Sequence, residues 1–181
     1  MNILVTTIMH SGTHVLRYQV LKAHFEDGDT GCFFNGDSQN KMMKCHVDQL
    51  HRFAKEFESY PIFTSLRHPR RIAKSFEERR QKFNNNMNNY TWESFNNQFR
   101  ILIDHVAKKD PFYLHVDNDV RDYEVELMKY FLGLPLEPNW DVCKRSGAVC
   151  GNHDIDLDQC PSVSQEYEDF YFNTIERMKN G

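Results

Sequence analysis

Short runs of β-branched and aromatic residues alternate along this chain with longer stretches of helical periodicity. No other feature restricts the fold as much. The strand-like runs are residues 2–7, 61–66 and 112–116, with weaker ones at 32–35 and 42–46. Helical patterns cover residues 13–25, 47–59, 70–83, 92–108, 120–132 and 164–179. In the first of these, Val15, Leu16, Val20 and Leu21 make one apolar face. Thr91 stands where a helix N-cap is needed, and Gly133 where a helix stops. A helix between two strands returns the chain to the same end of a sheet, so the pattern predicts an α/β fold with a central parallel sheet flanked by helices. At about 100–200 residues per domain, 181 residues make one domain, 1–181.

Charge and composition exclude several classes. Hydrophobic residues make up 40% of the chain and charged residues 27%, which is globular rather than disordered chemistry. Acidic residues outnumber basic ones, 26 to 22. That balance argues against a nucleic-acid partner. The charge is unevenly spread. Residues 67–82 hold seven basic and two acidic residues, and residues 154–181 hold seven acidic and two basic. A local anion site is therefore compatible with the mild net charge of −4. No apolar run approaches the roughly 18 residues of a membrane span. The first residues lack a basic segment followed by an apolar one, so no signal peptide is expected and the expected location is cytoplasmic. Five widely spaced cysteines without a CxxC pair read as reduced thiols. Cys143, Cys150, His153 and Cys160 match no common zinc spacing, so no metal is expected. Seven asparagines between 84 and 97 read as a solvated helix end and loop, or as a flap over a pocket.

Three segments carry candidate chemistry. The first strand runs into His10-Ser11-Gly12-Thr13-His14 at the head of a helix. Amides at a helix start, a glycine that permits close approach and two hydroxyls suit a phosphate or sulfate. An ordinary capped helix would read the same way, and the GxxxxGK[ST] motif is absent. Arg67 ends the strand 61–66, and Ser75 follows eight residues later in the next helix, behind Pro69. Arginine offers a rigid fork matched to phosphate, but a solvated basic helix start fits as well. Lys44 and His46 sit two apart on a strand and share a face. They read either as surface residues or as a cation beside a general base.

In this order the segments resemble the signature of sulfotransferases that use 3′-phosphoadenosine-5′-phosphosulfate (PAPS). Met9-His10-Ser11-Gly12-Thr13 resembles the family's 5′-phosphosulfate loop, with His10 where the family has Lys. Lys44-Cys45-His46 resembles its Lys-Thr-His segment, and Arg67 with Ser75 its 3′-phosphate motif. Tyr113-Leu114-His115-Val116-Asp117, then Phe131-Leu132-Gly133-Leu134-Pro135, resembles a later strand and helix end. Lys144-Arg145-Ser146-Gly147 is similar to the loop that closes over the 3′-phosphate. The chain is much shorter than typical members.

The resemblance implies a three-layer P-loop-like fold and sulfuryl transfer from PAPS to an acceptor hydroxyl or amine, leaving 3′-phosphoadenosine-5′-phosphate (PAP). It implies His46 as general base and Lys44 as charge stabiliser, with His10, if protonated, in the role of the loop Lys. It implies that His10, Ser11, Gly12, Thr13 and His14 hold the 5′-phosphate end, and Arg67, Ser75, Arg145 and Gly147 the 3′-phosphate. The acceptor would be a small molecule, a glycan or a peptide, with no nucleic acid and no membrane involved. Two other readings stay open: a non-catalytic phosphonucleotide-binding protein, and a degenerate P-loop nucleotide kinase with Asp117 as the magnesium-binding acid.

Overall fold

The computed structural model describes residues 1–28, 40–82, 90–138, 140 and 155–180. Five parallel strands form one sheet: β1 (Asn2–Thr7), β2 (Glu26–Gly28), β3 (Lys41–His46), β4 (Ile62–Leu66) and β5 (Phe112–His115). Their order is β2-β3-β1-β4-β5. Pairing aligns Thr7 with His46, Val5 with Phe63 and Leu66 with His115. The C-terminal ends of β1, β3, β4 and β5 therefore lie side by side.

β1 is central, and Ile3 through Thr7 are buried on both faces. A strand in the middle of a covered parallel sheet needs such a continuous run. Alternate residues feed two separate cores. Leu4, Cys45, Ile62, Leu66 and Tyr113 face one, and Ile3, Val5, Met42, Phe63 and Leu114 face the other. The first core is covered by a 3₁₀ helix (Val47–Phe53), α2 (Pro69–Lys82), α3 (Trp92–Ile101) and α5 (Gln165–Asn180). A short helix, α1 (Ala54–Ser59), follows the 3₁₀ turn. The second core is covered by a π-wound helix (Val15–Leu21) and α4 (Arg121–Leu132). Each fully buried large apolar side chain contributes about 1.5–3 kcal/mol, so these two cores hold the layers together.

The expected mixed α/β parallel sheet flanked by helices is present. The helix ends behave as the sequence predicts. Thr91 Oγ1 accepts the Ser94 amide at 3.0 Å. Gly133 takes a left-handed φ of 62° and donates its amide to the Lys129 carbonyl at 2.9 Å. Three details differ. The first helix is π-wound and ends at Leu21 rather than 25. The long helix expected over 92–108 is α-helical only to Ile101, then continues as a π turn (Leu102–Val106) and a 3₁₀ turn (Ala107–Lys109). The strand that edges the sheet before β3 is Glu26–Gly28, and the expected strand at 32–35 lies outside the described residues. No described helix is long and apolar enough to cross a membrane.

Candidate functional site

The helix after β1 covers one face of the sheet, while the helices after β3 and β4 cover the other. The chain thus leaves β1 in the opposite direction from both of its neighbours. In open α/β sheets such a reversal marks the crevice beyond the strand ends where ligands bind. The segments singled out from the sequence meet there.

The turn after β1 is sharply bent. His10 has a φ of 65° and Gly12 of 102°. A Cβ at Gly12 would lie 2.6 and 2.8 Å from the two methyls of Val116. Glycine is required both by the backbone conformation and by this contact. Gln98, fully buried on α3, accepts the Met9 amide at 2.9 Å and fixes the start of the turn. The Gly12 carbonyl accepts the Val15 amide at 2.9 Å, which begins the helix.

The two hydroxyls expected to face an anion are used inside the protein. Ser11 Oγ donates to the Ile8 carbonyl at 2.8 Å and lies 3.2 Å from Ser65 Oγ. Thr13 Oγ1 pairs with Thr7 Oγ1 at 2.6 Å. Both residues are buried. Their hydroxyls shape the turn, and the donors an anion would meet are the backbone amides at the head of the helix. His14 is exposed and stacks on Tyr18 with ring centroids 5.4 Å apart.

On β3, Lys44 Nζ lies 3.4 Å from His46 Nε2, and His46 Nδ1 lies 3.3 Å from the Thr7 carbonyl. A carbonyl only accepts, which favours a proton on Nδ1, and an ammonium only donates, which favours a lone pair at Nε2. The ring also accepts the Gln49 amide as the cap of the 3₁₀ helix, so its neighbours compete for the tautomer. Gln49 Oε1 accepts the His46 amide at 3.4 Å and steadies the strand end.

On the other side of β1, Arg67 is 5% exposed, and its Nη1 donates to Ser75 Oγ at 3.4 Å. The eight-residue spacing therefore brings the two side chains into contact. Arg145 and Gly147 lie outside the described residues.

His10 sits between these flanks. Its ring contacts Phe76 edge-on and Tyr90 at a tilt, both at 5.5 Å between centroids. Burial, reinforced by the positive fields of Arg79, His46, Arg67 and His14, lowers its pKa from 6.5 to about 4. The imidazole is neutral at pH 7 in this state. The role expected for His10 in place of the loop Lys required a protonated ring, and burial works against that charge. Its Nε2 is buried without a hydrogen-bond partner among the described residues.

Asp117 organises the site's rim more than the sequence suggests. Its side chain is 1% exposed. It accepts the His68 amide at 3.1 Å, Arg71 Nη1 at 2.9 Å and the Tyr171 hydroxyl at 2.8 Å. It thus caps the start of α2 and joins β5 to α5. Beside it, His115 bonds Glu124 of α4 at 2.5 Å and Thr174 of α5 at 2.8 Å. Most of these ties join residues far apart in the chain, which spacing along the sequence does not show, although His115 and Glu124 are nearer neighbours. Among the described residues no group of three or more His, Cys, Asp or Glu could hold a metal ion. Cys160 is a buried free thiol, and Cys143, Cys150 and His153 lie outside the described residues. No protein-family model, no curated protein and no solved structure matches this chain.

Proposed function

We propose that the chain transfers a sulfuryl group from PAPS to an acceptor hydroxyl or amine, releasing PAP. The observation that carries this reading is the meeting of three features at the strand ends: the Gly12 turn, the Lys44–His46 pair, and the Arg67–Ser75 contact. His46 Nε2 takes the acceptor's proton as the acceptor's oxygen or nitrogen bonds to sulfur. The sulfur–oxygen bond to the 5′-phosphate then breaks. Lys44 stabilises the charge that builds up there, as fixed cations do in other group transfers. Arg67 and Ser75 bind the 3′-phosphate, and the Gly12 turn binds the 5′-phosphate through backbone amides. The buried, unpartnered His10 Nε2 fits the same anion.

One observation favours a second reading, a phosphonucleotide-binding protein without turnover: the free turn has no standing cation, because His10 is neutral. The kinase reading loses its metal ligand. Asp117 is buried and already engaged by an arginine, a phenol and an amide. Calorimetric titration should give binding of PAP and much weaker binding of ATP. Transfer of labelled sulfate from PAPS to an acceptor panel then separates enzyme from binder. His46→Ala should abolish transfer with PAP affinity within about twofold of wild type, since the variant removes only the base. Retained turnover in that variant would refute the assignment.

A further inference from the structure

His10 carries a polar atom that is buried and has no hydrogen-bond partner among the described residues. Its left-handed backbone turns the imidazole inward at the end of β1. The rings of Phe76 on α2 and Tyr90 before α3 pack against it. Nε2 is sealed from solvent with no acceptor or donor among the described residues. A buried polar atom left this way costs free energy, and a ligand group that reached it would supply the hydrogen bond the fold does not. The charged and titratable groups that bear on it come from four directions: Arg79 from α2, His46 from β3, Arg67 from the end of β4, and His14 from the helix after the turn. None carries negative charge. Among the described residues, the charged groups that act on an imidazolium here are all cationic, and none is a counter-ion.

We propose that His10 is a proton-linked anion receptor. It is neutral in the free crevice and takes one proton from solvent when a phosphate or sulfonate group of the ligand occupies the site. The ligand then supplies a counter-ion. The proton comes from buffer and goes to the imidazole ring, and no bond of the ligand breaks. Linkage makes the effect reciprocal: the anion favours protonation, and acid favours the anion. A lysine at this position would bind without proton uptake, so the histidine converts a constant anion site into a pH-dependent one. The inference rests on the anion site proposed above, and not on sulfuryl transfer.

The test is calorimetry of PAP and, separately, of inorganic pyrophosphate at pH 6.0, in buffers of different ionisation enthalpy. His10→Asn is the control, because asparagine tolerates a left-handed φ and keeps a polar side chain. Wild type should take up about one proton more than the variant, and only wild type should lose affinity by about tenfold per pH unit through the linked range. The His10 ring resonance, followed by NMR, should titrate at higher pH with ligand than without. Equal proton counts in the two proteins overturn the inference. If pyrophosphate binds with His10-dependent uptake while PAP fails to bind, the inference stands and the sulfotransferase reading falls. If neither ligand binds, both fall.

Discussion

Gly12→Ala isolates the strain built into the turn at the centre of the crevice. The substitution has two separable costs. An L-residue at a φ of 102° is outside the comfortable range, and one left-handed residue costs about 1–2 kcal/mol. The new methyl would also stand 2.6 and 2.8 Å from the Val116 methyls, where ordinary contact begins near 3.4 Å. Relieving that overlap costs about 1–3 kcal/mol, because Val116 is packed in the second core and has little room to move. The expected total is about 2–5 kcal/mol. With a urea m-value of about 2 kcal/mol/M, the unfolding midpoint falls by about 1–2.5 M. The double variant Gly12→Ala/Val116→Ala removes the overlap and leaves the backbone strain. A double-mutant cycle should therefore show favourable coupling of about 1–3 kcal/mol. A midpoint loss below about 0.5 M, or no coupling to Val116, would show that the turn relaxes freely and that neither term was worked correctly.

Two further outcomes follow from buried polar groups. His10 has a folded pKa of about 4 against an unfolded 6.5, so the folded state prefers the neutral ring. Its stabilising contribution is full above pH 6.5 and falls away as pH drops towards 4, by no more than about 3 kcal/mol. Partial desolvation of His14 and burial of His68 shift both downward as well, which adds to the loss in the same direction. Urea midpoints measured at pH 7.5 and 4.5 should differ less in His10→Asn than in wild type. Asp117→Ala leaves the Arg71 guanidinium without its carboxylate, and the His68 amide and Tyr171 hydroxyl without an acceptor. It should cost about 3 kcal/mol and weaken PAP binding, because the head of α2, which carries Ser75, loses its anchor. Thermal unfolding and the PAP titration check both parts.

The layers of the fold were legible because burial and period agree. Ile3 through Thr7 read as a covered strand, and the stripes of α2, α4 and α5 read as helical faces. β2 was not legible. Glu26 and Asp27 have no strand propensity of their own, and only pairing with Lys41 and Met42 makes them extended. The π winding of Val15–Leu21 also leaves no trace in the period of its apolar residues. The components of the site were visible as spacings: Lys44 with His46, and Arg67 with Ser75. Their roles were less so. Ser11 and Thr13 look like ligand donors until Ser65 and Thr7 arrive beside them from elsewhere in the sheet. His10 looks like a cation until Phe76 and Tyr90 bury it. Identity and spacing are local properties, whereas desolvation and hydrogen-bond competition are set by the completed tertiary structure.

The junction at Asp117 also bears on when the crevice is assembled. Tyr171 and Thr174, its partners and those of His115, belong to α5, more than fifty residues further along the chain. Contacts of such separation close large loops and form late in folding. Until residues 165–180 dock, the carboxylate that orients Arg71 and the start of α2 lacks one of its three partners. The order at the start of α2 thus becomes a measure of whether the last helix has arrived. Hydrogen-exchange protection at the start of α2 should rise together with protection in α5, as one cooperative unit.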